Sequence, residues 1–97
     1  MKFSLFFEMQ FSDYSREKEV QTFHDCVDQA VLADQLGYDC VWAVEHHGLY
    51  EYAHCSAPET FLAYVAAKTK NILLGHGVTL LPGKYNHPVR IAERVAT

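Results

Sequence analysis

Cys40-Val41-Trp42-Ala43-Val44 is an unbroken apolar run that stops at Glu45-His46-His47. Its length and its β-branched and aromatic content are those of a strand. Because the run does not alternate with polar residues, it predicts a strand covered on both faces, the habit of parallel sheets. In parallel α/β folds the side chains at the carboxyl ends of strands face the ligand crevice. A carboxylate and two imidazoles at that position therefore mark a candidate active site.

Upstream, Phe3 to Phe7 is a second apolar run, closed by Glu8, and reads as another buried strand. Between the two, past a polar loop with Ser12, Asp13 and Ser15, the spacing predicts a helix from about Glu17 to Leu36. Val20, Phe23, Val27, Ala30 and Val31 form its inward stripe, Asp25, Asp28 and Asp34 lie on other faces, and Gly37 supplies a left-handed stop. Downstream, Ser56-Ala57-Pro58-Glu59 matches a capping box with proline in the first turn, ahead of a helix that buries Phe61, Leu62, Val65 and Ala66. Ile72-Leu73-Leu74 opens a third strand, interrupted by Gly75 and Gly77 and resuming as Val78-Thr79-Leu80-Leu81 before Pro82-Gly83 breaks it. Asn86-His87-Pro88 starts a third helix with Val89, Ala92 and Val95 inward and Arg90 and Arg94 on a solvated face.

Strand and helix thus alternate three times, with crossovers long enough for parallel pairing. A free three-stranded parallel sheet leaves apolar edges unpaired and its faces thinly covered. The pattern is that of an α/β chain supplying the first three β-α units of a (β/α)8 TIM barrel, a fold of about 250 residues, with a compact stand-alone sandwich as the alternative. Residues 1–97 are accordingly expected to be the amino-terminal part of one such domain.

Hydrophobic residues make up 49% of the chain and aromatics 13%, which suits a folded core and argues against disorder. A net charge of -4 with no Lys or Arg cluster argues against nucleic acid and against an anionic membrane surface, leaving a small molecule as the expected partner. Cys26, Cys40 and Cys55 are odd in number and lack CxxC spacing, the usage of a reduced, cytoplasmic protein. The amino terminus shows no cleavage signal and no stretch reaches membrane-spanning length, so neither export nor membrane insertion is expected.

Alternation along a strand points His46 and His47 in opposite senses, so at most one faces the crevice as a proton-transfer group, with Glu45 available to orient it. The plain structural alternative is a histidine that anchors a loop by hydrogen bonds. His46, His47, His54, Cys55 and Glu45 also share a loop, yet the spacing is not that of HExxH or paired CxxC, and no metal is expected. Gly75-His76-Gly77 fails as a dinucleotide fingerprint, because a strand-like run follows where a helix is required. A glycine where the crevice opens does let a flat ligand approach the backbone, which places His76, Gly77 and Val78 among the candidate binding residues. A β-bulge is the simpler reading of the same glycines.

Four runs stand in order along nearly the whole chain: Trp42-Ala43-Val44-Glu45-His46-His47, Ser56-Ala57-Pro58-Glu59, Leu74-Gly75-His76-Gly77-Val78-Thr79-Leu80-Leu81-Pro82 and Asn86-His87-Pro88-Val89-Arg90. Together they resemble the bacterial luciferase-like, flavin-dependent monooxygenase family. The resemblance implies a TIM barrel that binds reduced FMN, or in some branches coenzyme F420, at the carboxyl ends of the strands. With FMN it implies reaction with O2 to a C4a-hydroperoxide, which oxygenates a small organic substrate. His46 matches the first histidine of the family's Glu-His-His motif and is the implied catalytic residue. Gly77 and Val78 match a pair joined in several members by a non-proline cis peptide behind the flavin ring, a bond that costs about 3 kcal/mol. His76 and Glu45 flank these positions and complete the expected cofactor-binding set.

The flavin phosphate is implied to sit on loops late in the barrel, beyond Thr97, so residues 1–97 alone are expected to bind FMN weakly or not at all. A flavin reductase and a second copy of the protein are the implied partners. Two other readings accompany this one: an F420-dependent dehydrogenase or reductase on the same barrel, and a non-catalytic flavin-binding or interaction module.

Overall fold

Strands and helices alternate in the order β1 (Ser4–Phe7), α1 (Arg16–Gln35), β2 (Cys40–Ala43), α2 (Pro58–Lys68), β3 (Leu73–His76) and α3 (Pro88–Ala96). They are seen in a computed structural model that describes all residues, Met1–Thr97. The strands form one parallel sheet in the order β1-β2-β3, with Phe6, Trp42 and Gly75 in one cross-strand row and Phe7, Ala43 and His76 in the next. The expected β-α alternation and parallel pairing are both present.

Side-chain alternation divides the sheet into two unlike faces. Phe7, Val41 and Ala43 pack against Val27 and Ala30 of α1 and Phe61, Leu62 and Val65 of α2, in the main hydrophobic core. On the other face Phe6, Trp42 and Leu73 remain 54%, 38% and 67% exposed. The expectation of strands covered on both faces therefore holds on one face only, since no helix of this chain crosses the second.

Ser15 caps α1, its hydroxyl accepting from the Lys18 N–H at 3.2 Å, and Gly37 ends it with a positive φ of 78° as the sequence suggests. Cys26, Val27, Ala30 and Ala33 are its buried residues, while Val20 near its amino end is half exposed. The capping box at α2 does not form. Ala57 occupies the cap position with no side-chain bond, and Glu59 turns away to pair with Arg94 at 2.9 Å. With guanidinium both partners are charged, whereas the box would have offered the carboxylate a neutral backbone N–H.

The turn from α2 into β3 is held by the end of α1. Both Asp34 carboxylate oxygens accept from this turn, Oδ2 from the Lys70 N–H at 2.8 Å and Oδ1 from the N–H groups of Asn71 at 2.9 Å and Ile72 at 2.8 Å. These bonds hold its carboxyl below the ordinary carboxylate range. Since the folded-state value is the lower one, the contribution is complete above the unfolded value of about 4 and is lost as pH falls through the folded value. Asp34→Ala is expected to lower the urea midpoint at pH 7 and to flatten its decline in acid. An acid decline as steep as that of the unmodified chain would contradict this role.

β3 ends sooner than its sequence suggests. After His76 the Gly77 N–H donates to the Ala43 carbonyl at 2.7 Å, and Val78 to Leu81 then leave the sheet as loop. His87 caps α3 through Nδ1, which accepts from the Val89 N–H at 3.2 Å, in line with a helix-start role. The expected inward stripe of α3 is absent: Val89, Ala92 and Val95 are exposed, and α3 has no buried residue. Arg94 departs from expectation in the opposite sense, since its side chain is 19% exposed and turned toward Glu59. No helix is long and apolar enough to cross a membrane.

Candidate active site

Beyond Ala43 the β2 chain continues as Val44, Glu45, His46 and His47, and alternation carries the two imidazoles apart as expected. His46 turns toward the end of β1, with Nε2 3.7 Å from Glu8 Oε2, while its backbone N–H donates to the Cys55 carbonyl at 2.9 Å. The ring meets Tyr52 edge-on at 5.9 Å and its side chain is 21% exposed. It makes no hydrogen bond within the protein. A partly open imidazole at a strand end, near a carboxylate and with its nitrogens uncommitted, can exchange a proton with a ligand.

His47 turns instead toward the loop after β3. Its Nε2 lies 3.1 Å from Glu45 Oε1 and 2.6 Å from the Tyr85 hydroxyl. Glu45 therefore partners His47 and not His46. The Glu45 carboxylate is buried, with Oε2 accepting from the Leu80 N–H at 3.0 Å and Oε1 from the Tyr85 O–H at 2.8 Å. Burial alone would raise its pKa, but these bonds, His47 and the nearby Arg94 charge together hold it below the usual range. Both Glu45 oxygens are thus engaged by protein donors.

His76 also lies apart from its expected place. As the last residue of β3 it points to the helix side, into a cavity of about 520 Å³ shared with Glu59, Leu62, Leu74 and Arg94. One residue on, Gly77 belongs to the uncovered face. A Cβ built there would meet the Phe6 ring at 2.6 Å, and one built at Gly75 would collide with the Trp42 ring. The two glycines thus make a side-chain-free floor on which these aromatic rings lie, a close approach that only glycine permits. Val78 follows, half-buried. Its bond to Gly77 is trans, like every peptide bond in the chain, contrary to the cis bond the resemblance implied. The contacts that fix this segment, Gly77 N–H to Ala43 and Leu80 N–H to Glu45, are satisfied by the trans form.

The loop after β2 is fastened to α1 by His54, which stacks on Phe11 at 3.9 Å and bridges Glu19 Oε1 at 3.2 Å and the Tyr50 carbonyl at 2.8 Å. Its nitrogens are thus committed to the loop. No three His, Cys, Asp or Glu side chains converge as a metal ion would require. The cysteines are free and buried, and burial pushes the Cys26 and Cys55 thiols up to about 11. Thiols so raised are poor nucleophiles at neutral pH.

In α/β folds ligand sites form at the carboxyl ends of parallel strands, and here those ends gather an imidazole, a carboxylate and a glycine floor. The sequence matches the luciferase-like monooxygenase family over residues 1–97, and the chain belongs to that family. The flavin-dependent trigonelline monooxygenase, oxygenase component, of Acinetobacter baylyi is 34% identical over 99 residues, covering 99% of this chain and 26% of that protein. N-acetyl-S-alkylcysteine monooxygenase of Bacillus subtilis is 40% identical over 78 residues, covering 80% of this chain and 22% of that protein. Among solved structures, the oxygenating constituent of 3,6-diketocamphane monooxygenase from Pseudomonas putida, a type II Baeyer-Villiger enzyme in complex with FMN, superposes with a TM-score of 0.80. It shares 30% identity, over 97% of this chain and 25% of its own. The chain therefore spans about a quarter of the length of these relatives.

Proposed function

We propose that these residues form part of the active site of an FMN-dependent monooxygenase, built on a TIM barrel of which they supply the first three β-α units. The observation that carries this reading is the shared rim. His46 and the Gly77–Val78 backbone follow neighbouring parallel strands at the same end of the sheet, beside a face where Phe6 and Trp42 lie over bare glycine. The exposed Phe6 and Trp42 rings, which fill the space over Gly77 and Gly75, offer a flat aromatic ring system an apolar, partly open surface. Gly77 and Val78 would hold the ring from behind. Neither Glu45 nor His76 would touch it, one being committed to protein donors and the other turned to the helix side.

Reduced FMN, when bound, supplies the two electrons with which O2 delivers one oxygen atom to an organic substrate and the other to water. The part played by this chain is to seat the ring and to move a proton. His46 Nε2 is the proton-transfer atom, with Glu8 Oε2 3.7 Å away. The trigonelline relative is named an oxygenase component and the camphane relative holds FMN, which supports FMN as cofactor and a separate flavin reductase as its source. A cytoplasmic homo-oligomer acting on a small organic substrate completes the proposal.

Anaerobic titration of the intact protein with reduced FMN, followed by admission of air, tests the reading. Saturable binding and protein-dependent O2 uptake are expected. Binding of F420 alone without O2 uptake would replace this activity with hydride transfer, and binding of neither would remove the flavin reading.

A further inference from the structure

Glu45 is the most deeply buried charged side chain, 2% exposed, and the structure gives it more partners than an ordinary core carboxylate. Three of the bonds that tie the loop between β3 and α3 to the end of β2 fall on Ala43 and Glu45. One is the Gly77 N–H to the Ala43 carbonyl at 2.7 Å. The other two, from the Leu80 N–H at 3.0 Å and the Tyr85 O–H at 2.8 Å, both end on the Glu45 carboxylate. Asn86 braces the same loop, its amide donating to the Leu80 carbonyl at 2.8 Å while its oxygen accepts from Arg94 at 2.7 Å. We propose that Glu45 is a positioning residue, which latches the β3–α3 loop onto the end of β2 and sets which nitrogen of His47 carries the proton.

The second part follows from counting hydrogens. Glu45 Oε1, the Tyr85 hydroxyl and His47 Nε2 form a closed triangle with sides of 2.8, 3.1 and 2.6 Å. An ionised carboxylate only accepts, and the tyrosine has one hydrogen. With that hydrogen directed to Glu45, His47 Nε2 must carry one as well, or two lone pairs would face each other across 2.6 Å. The ring is therefore held in its Nε2–H form. On the flavin reading, on which the functional sense of the latch rests, Glu45 fixes the Gly77–Val78 backbone and leaves His46 unencumbered on the other side of β2.

The intact protein labelled with 15N-histidine provides the test, together with amide hydrogen exchange. In the unmodified protein His47 is expected as the Nε2–H tautomer, with the Leu80 amide protected. In Glu45→Gln the single amide oxygen accepts at one end of the latch only, so either Leu80 exchanges about tenfold faster or more, or His47 relaxes to mixed tautomers, while α1 amides keep their protection. Tyr85→Phe retains the carboxylate and is expected to move the His47 Nε2 signal without exposing Leu80. A general loss of packing would instead raise exchange throughout. The proposal is overturned if Glu45→Gln changes neither observable. Should that variant fail to fold, an unprotected Leu80 amide in the unmodified protein, or His47 present there as the Nδ1–H tautomer, overturns it equally. None of these observables involves flavin, so the latch and the flavin reading can fail separately.

Discussion

His46→Ala is expected to lower the flavin-dependent turnover of the intact protein by about 10²–10⁴-fold, the range for loss of a positioned proton-transfer group. The imidazole makes no hydrogen bond to the protein and is partly open, so its removal breaks none. The unfolding midpoint should accordingly stay near that of the unmodified protein. This separates His46 from His47, whose ring is bound into the Glu45 and Tyr85 triangle and whose loss would disturb the loop as well. Steady-state oxygenation beside a urea unfolding curve measures both quantities. Turnover within about threefold of normal would take His46 out of the chemistry, since even the weak end of the range for such groups exceeds it.

Phe61→Ala is expected to carry the largest stability loss, about 3–5 kcal/mol. Phe61 is 6% exposed and meets Phe7 of β1 edge-on at 5.8 Å and Phe23 of α1 at 6.3 Å, so one ring joins the sheet to both helices. Truncation removes its transfer free energy and leaves a cavity between three elements. The groove of about 370 Å³ beside it, lined also by Phe23 and Val27, gives the neighbours room to settle, which favours the lower end of the range. Against a typical domain stability of about 5–15 kcal/mol this is a large fraction. Urea unfolding followed by circular dichroism gives the value, and a loss under about 1 kcal/mol would show that the core does not hinge on this ring.

Much of the framework was readable from local pattern. Apolar runs marked three strands, helical spacing marked three helices, and Gly37 and His87 were recognisable as a stop and a start, because each depends on residues only a few positions away. What escaped the pattern depends on partners far along the chain. Glu59 matches a capping box locally, yet it is taken by Arg94, 35 residues on. Glu45 reads as an orienting group for the adjacent imidazoles, yet its carboxylate is filled by Leu80 and Tyr85, and no short-range signal announces a tyrosine 40 residues away.

Other departures had a signal in the sequence. The strand-end rule that singled out His46 applies equally to Glu8 at the end of the first run, and Glu8 proves to be the carboxylate nearest that ring. The period of two that separates His46 from His47 also separates His76 from Gly77, sending the first to the helix side and the second to the open face. Asp34 gave no such hint, since three backbone donors in a distant turn define its role.

On the proposed function, the open face at the carboxyl ends of β2 and β3 seats a flavin ring between His46 and the Gly77–Val78 backbone. A crystal structure of the intact protein with FMN tests it most directly. The isoalloxazine is expected against Gly77 and Val78, with the His46 imidazole within reach of its reactive edge. A flavin bound elsewhere, in the outer groove between α1 and α2 for example, with this rim empty, would contradict it.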